Sequence, residues 1–214
     1  MSLYKSYGKR MLDLAAAGIA ILFLFPLLLL TAALIAARLG RPVLFVQRRS
    51  GLHGRPFNMI KFRSMLDAVD AGGQPLPDAD RLTPFGLWLR SSSLDELPGL
   101  WNIITGDMSL VGPRPLHTHY DSLYSPRQKK RLEVRPGVTG LAQVNGRNAL
   151  SWPAKFELDV QYVETQTFLL DMRILFATIP GVLKRQGINA VDAATMPAFK
   201  GETGAETESL RRDR

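Results

Sequence analysis

LAAAGIAILFLFPLLLLTAALIAA, residues Leu14 to Ala37, dominates the organisation of the chain. Only Gly18, Pro26 and Thr31 interrupt the apolar run. As an α-helix, about 24 residues at about 1.5 Å each cover roughly 36 Å, enough to cross the hydrocarbon of a bilayer. A cleaved signal peptide does not fit, because the run is too long and Arg38 and Arg41 stand where small cleavage-site residues belong. Basic residues flank both ends: Lys5, Lys9 and Arg10 before, Arg38, Arg41, Arg48 and Arg49 after. The preference of Lys and Arg for the cytoplasmic face asks for both ends on that face. Pro26 lies near the middle, where it removes a helical hydrogen bond and crowds the preceding turn. A helix that enters the membrane, turns at Phe25-Pro26 and returns satisfies both facts. A single span kinked at Pro26 is the alternative.

The rest of the chain is polar enough to fold beside this segment. At 214 residues it suffices for one domain with a real core. Its 27 Lys and Arg against 19 Asp and Glu give a net charge of +8, which favours an anionic partner: a phosphorylated substrate, anionic lipid or nucleic acid. The absence of cysteine excludes disulfides, thiolate zinc sites and Cys nucleophiles. The histidines, His53, His117 and His119, do not have the spacing of a helical metal site and read as loop residues.

Downstream, Pro42 to Gln47 and Pro56 to Arg63 read as two strands of a hairpin around the turn at Gly51 to Gly54. Lys61 and Arg63, two apart, point to one face and form a basic pair able to grip a diphosphate. Asp70 to Asp80, with its glycines and prolines, reads as a loop, and a helix starts near Pro84. Next comes Ser93-Leu-Asp-Glu-Leu-Pro98. Ser93 followed by Glu96 has the capping-box spacing, so Asp95 and Glu96 can be explained as helix-start acids. The same geometry serves chemistry. A helix start attracts phosphate, an ionised Asp there can act as nucleophile or magnesium ligand, and a neighbouring Glu can move protons. Trp101 to Gly106 reads as a helix stopped by glycine, and Gly112-Pro-Arg-Pro115 as a stiff turn that fixes Arg114 as a bidentate phosphate ligand. Arg90 precedes the acids.

These residues carry a resemblance. Lys61-Phe-Arg-Ser-Met65, Ser93 to Pro98, Gly106-Asp-Met-Ser-Leu-Val-Gly-Pro-Arg-Pro115 and Arg135-Pro-Gly-Val-Thr-Gly-Leu-Ala-Gln143 resemble the bacterial sugar transferases, monotopic phosphoglycosyl transferases that begin lipid-linked glycan assembly. Asn145-Gly-Arg147, Phe156 to Asp159 and Tyr162-Val163 extend the match over roughly residues 5 to 190. The resemblance implies transfer of a phosphosugar from a UDP-sugar to polyprenyl (undecaprenyl) phosphate with release of UMP. It implies Asp95 as nucleophile through an acyl phosphate, Glu96 as partner carboxylate (general base or metal helper), and Mg2+ bridging Asp95 and the diphosphate. Lys61, Arg63, Arg90, Arg114, Arg135 and Arg147 become the substrate-binding cations. It favours the re-entrant helix with the catalytic domain on the cytoplasmic face of the bacterial inner membrane, in contact with its lipids. Relatives often carry Ser before the bending proline; Phe25 stands here. Asn145 to Arg147 and Phe156 to Val163 are most similar to small transferases of N-acetylated sugars such as UDP-diacetylbacillosamine, with UDP-galactose or UDP-glucose as the alternative donor.

In the C-terminal third, the basic run Ser125 to Glu133 reads as a helix with Pro126 in its first turn, facing either headgroups or water. Arg135-Pro-Gly is a turn, Val138 to Val144 an extended piece, and Ala154 to Tyr162 a helix. Phe168 to Lys184 is apolar at helical spacing and reads as an interfacial amphipathic helix, a core helix being the alternative. The expected fold is α+β, mostly helical with a short β-hairpin: a re-entrant membrane helix over 1–40, a cytoplasmic catalytic domain over 41–195 and a disordered tail over 196–214. A homodimer is among the open options. No nucleic-acid partner is expected, because the cations fall beside Gly, Pro and carboxylates and not in an aromatic-interleaved stripe. A non-catalytic membrane scaffold is the remaining alternative, and it would tolerate Asp95→Asn.

Overall fold

The computed structural model describes residues 4–146, 149–183 and 198–201. A π-helical turn at Tyr4–Gly8 leads into α1, Lys9–Arg38. Pro26 lies inside α1 and the helix runs continuously through it. The interior positions of α1 recur at helical spacing. Ala17 packs with Phe57, Met59, Leu100, Ile103 and Met108, and Ile35 with Leu39, Phe62 and Leu89. The opposite face leaves Leu22, Phe23, Phe25, Leu29 and Leu30 exposed.

Both ends of α1 are tied to the same body. At the start, Lys9 Nζ lies 2.7 Å from Asp171, whose carboxylate also accepts from the hydroxyls of Tyr4 and, at 2.7 Å, Tyr162. Arg10 donates to the carbonyls of Ile103 and Ile104 at 2.6 and 3.1 Å, and Asp13 Oδ1 accepts from the Leu110 amide at 3.0 Å. At the other end, the Arg63 guanidinium donates to the carbonyls of Leu39 and Arg41.

The expected hairpin is present. β1 (Leu44–Ser50) pairs antiparallel with β2 (Pro56–Phe62), with Phe45 opposite Lys61 and Arg49 opposite Phe57. After the loop come α2 (Asp78–Arg81) and α3 (Pro84–Ser91), the latter capped by the Thr83 side chain with Pro84 in its first turn. A 3-10 segment, Leu94–Gly99, carries the two acids and passes into α4 (Leu100–Thr105), which Gly106 ends at φ +96. β3 (Ser109–Val111) and β4 (Gly137–Thr139) form a small parallel pair. Glycine is required here, since a Cβ on Gly137 would fall 2.1 Å from the Gly112 nitrogen. The strand is shorter than the extended piece expected over Val138 to Val144, because α6 (Leu141–Val144) begins two residues after it. Between them α5 (Pro126–Lys129) forms as expected and continues as a 3-10 turn to Glu133. Two longer helices follow, α7 (Trp152–Thr165), capped by Ser151, and α8 (Phe168–Leu183).

α8 packs Ile174 into the core yet also carries an exposed apolar face. Asp171 is fully buried, while Phe168, Leu169, Phe176 and Ile179 face outward. Leu44, Phe45 and Val46 of β1 are also exposed. The basic face of α5 and its 3-10 extension is mostly occupied. Arg127 pairs with Glu157 and Glu164, Lys130 with Glu164, and Arg131 with Asp159. Phe199, in the stretch read as tail, is buried among Tyr120, Tyr124, Trp152 and Phe156. The remaining tail residues, 196–197 and 202–214, lie outside the described residues.

Candidate active site

The acids stand where β2, the 3-10 segment and the Gly112 to Pro115 turn meet, on a cleft of about 1360 Å³. Local sequence explains the placement differently from the capping box. Ser93 adopts a left-handed conformation (φ +58) and its side chain makes no capping bond. Glu96 therefore does not reach back to cap the helix. Both its oxygens face cations: Lys61 Nζ at 2.8 Å, and Arg114 at 2.7 and 3.5 Å. Among the described residues, a capping box forms instead at Ser125 with Gln128.

The two neighbouring carboxylates have opposite electrostatics. Burial alone would raise Glu96, but the charges of Arg114 and Lys61 outweigh it and hold the carboxyl far below the usual range. Asp95 is pushed up to about 6, first by burial and then by the charge of Glu96. Among the described residues nothing hydrogen-bonds to Asp95, although Lys61, Arg90 and Arg114 lie close enough to favour its ionised form. A buried carboxylate kept free beside a clamped one has the arrangement of a nucleophile with a fixed positive frame.

The cations expected at the site divide. Lys61, Arg90 and Arg114 line the cleft, and Arg90 Nε donates to Ser64 Oγ at 2.9 Å. Arg63 borders the cleft, but its guanidinium is spent on the carbonyls at the end of α1. It follows the last residue of β2, so the alternation that placed it beside Lys61 no longer governs it. Arg135 donates to the Gly106 carbonyl at 2.9 Å and is not on the cleft wall. Both arginines donate to backbone carbonyls in this structure. Arg147 lies outside the described residues.

Other residues were not singled out by the sequence. Arg49 lines the cleft without a carboxylate partner among the described residues; its Nε is buried and unpaired, and burial followed by the Arg114 charge lowers it to about 10. Its signal was the i, i+2 spacing from Gln47, whose side chain accepts from it. Lys155 of α7 is lowered to about 8 by burial and by Arg114. Arg131, from the basic run, donates to Asp159 at 2.8 and 3.0 Å, to Tyr124 Oη at 3.2 Å and to the Arg114 carbonyl at 2.6 Å. It buttresses the turn that delivers Arg114. No sequence-local pattern links residues this far apart.

A sequence profile described as bacterial sugar transferase matches residues 4–185. The chain is 49% identical over 193 residues to an uncharacterized sugar transferase, EpsL, of Bacillus subtilis, covering 90% of this chain and 96% of that one. It is 41% identical over 186 residues to a UDP-glucose:undecaprenyl-phosphate glucose-1-phosphate transferase of Caulobacter vibrioides, covering 82% and 69%. It is 39% identical over 197 residues to the exopolysaccharide production protein ExoY of Rhizobium meliloti, covering 84% and 87%.

Proposed function

Because the chain belongs to the bacterial sugar transferase family, we propose that it transfers a hexose 1-phosphate from a UDP-hexose to a polyprenyl phosphate, releasing UMP, in the assembly of an exopolysaccharide. The observation that carries this reading is the divided carboxylate pair: Glu96 clamped by Lys61 and Arg114, and Asp95 buried and unclamped beside it. Asp95 attacks the β-phosphorus of the donor. A carboxylate oxygen–phosphorus bond forms, the bond to the UMP oxygen breaks, and UMP leaves with the electron pair. An oxygen of the polyprenyl phosphate then attacks the same phosphorus, and Asp95 departs as a carboxylate. Lys61, Arg114, Arg90 and Arg49 offset the charge gathered by donor and acceptor phosphates.

Glu96 acts in this scheme as the anchor that holds Lys61 and Arg114 in register. With its charge so strongly favoured it is a poor base, and both its oxygens are engaged. Magnesium fits the donor set in a limited way. No cluster of three or more metal-ligating side chains occurs among the described residues, but Asp95 is free to contribute one oxygen, and Mg2+ is commonly held by one or two carboxylates plus substrate phosphates. When bound at Asp95 it would neutralise diphosphate charge.

The donor assignment replaces the N-acetylated sugar with glucose, and galactose second. The Caulobacter relative is named for glucose 1-phosphate transfer. Among the residues that suggested an N-acetylated donor, Phe156 packs on Tyr124 and Trp152, Tyr162 Oη lies 3.0 Å from the Val111 carbonyl, and Arg147 lies outside the described residues. Membrane placement follows the same logic. α1 is long and apolar enough to cross a membrane, yet both its ends are tied to one body, which favours entry and return on the cytoplasmic side. UMP release with UDP-glucose, UDP-galactose, UDP-N-acetylglucosamine and UDP-diacetylbacillosamine tests the reading. Turnover with a hexose donor and polyprenyl phosphate is expected; preference for an N-acetylated donor would overturn the assignment.

A further inference from the structure

The wall of the cleft formed by β4, α6 and α8 carries an amide with nothing to bind. Gln143 lines the cleft, and both its Oε1 and Nε2 are buried without a hydrogen-bond partner. A buried primary amide left this way costs free energy unless a ligand or water supplies an acceptor and a donor. Its surroundings do not supply them. Thr139 and Thr178 on the same wall bond to each other at 2.7 Å, and Val138 and Ala142 are apolar. The amide lies against a bare backbone: a Cβ on Gly140 would fall 2.8 Å from Gln143 Oε1 and 2.1 Å from the Gly112 carbonyl oxygen. That glycine contact also locates the amide beside the turn that carries Arg114, since Gly112 N donates to the Thr139 carbonyl at 2.9 Å.

We propose that Gln143 is a specificity-determining residue that reads the imide edge of the donor's uracil, its Nε2 donating to a ring carbonyl and its Oε1 accepting from N3–H. The inference rests on the UDP-sugar reading above. Within such a donor, the base offers a flat edge that presents a donor and an acceptor side by side, matching what this amide lacks. The phosphates offer only acceptors and suit the cations that also line the cleft, Arg49, Lys61, Arg114 and Lys155. Small and apolar neighbours, Val138, Ala142 and Gly140, suit a planar ring better than a ring of hydroxyls.

The test uses the full-length protein and two inhibitors, UMP and N3-methyl-UMP, against wild type, Gln143→Met and Gln143→Ala. Methylation removes the N3–H and should weaken inhibition of the wild type about tenfold, the loss expected of one buried hydrogen-bonded edge. In both variants the methyl group should change inhibition less than twofold, while KM for UDP-glucose rises about tenfold. Gln143→Met conserves volume, so it serves if the alanine variant is unstable. An undiminished methyl effect in the variants overturns the inference. So does a shifted glucose-to-galactose preference with the methyl effect intact, which would place the amide on the sugar. Absence of UMP release by the wild type from every UDP-sugar would instead refute the transferase reading, and this inference with it.

Discussion

Removing the carboxylate of Asp159 should unfold much of the catalytic half, and removing Arg131 as well should restore it without restoring activity. The side chains of Arg131 and Asp159 are 2% and 4% exposed, 2.8 Å apart, and Arg131 also stands over the rings of Tyr124 and Phe156. Asp159→Leu leaves a guanidinium buried among aromatics with no counter-charge. Breaking a buried pair from one side costs about 3–5 kcal/mol, a large share of the stability of an ordinary domain. In Arg131→Met/Asp159→Leu neither charge remains, and apolar replacements of a buried pair are often neutral or stabilising. Equilibrium denaturation in detergent reads the three stabilities. The double variant should recover most of the loss. Its UMP release should still fall at least tenfold, because the Arg114 carbonyl loses the 2.6 Å donor that holds its turn. A single variant within about 1 kcal/mol of wild type would refute the burial argument. A double variant with both stability and full activity would refute the positioning role.

Two shorter predictions concern α1. Asp171→Ala strands Lys9 and removes the acceptor for Tyr4 and Tyr162, so residues before Lys9 should become protease-sensitive and the melting temperature should fall; unchanged proteolysis would contradict the tether. Single cysteines at Ser2 and Gly40, in a chain with none of its own, should both label from the cytoplasmic side of sealed vesicles. Labelling from opposite sides would establish a span.

What the sequence disclosed was the content of short, regular patterns. The apolar run, the hairpin and the stop at Gly106 depend on neighbours within a few residues, and all appear. Ser93 and Ser125 show the limit of such patterns. Both have a capping partner three residues on, but at Ser93 the partner Glu96 has Lys61 and Arg114 to pair with, and those tertiary contacts win. Arg63 and Asp171 show the same limit. The strand alternation set Arg63 beside Lys61 as a phosphate ligand, and no local pattern pointed to a partner for Asp171. Each is a buried tie to α1, with partners 24 and 162 residues away. Asp95 and Glu96 were legible as a pair, but their division of labour was not, since it depends on which of them the cations reach.

The proposed reaction places the phosphosugar on Asp95. Incubating the full-length protein with UDP-glucose and Mg2+, without polyprenyl phosphate, and measuring intact mass and UMP tests it most directly. A phosphohexose adduct on the peptide containing Asp95, formed with about one UMP per chain and absent in Asp95→Asn, is the predicted result. Undiminished UMP release by Asp95→Asn, or turnover by the wild type with no adduct on that peptide, would contradict it.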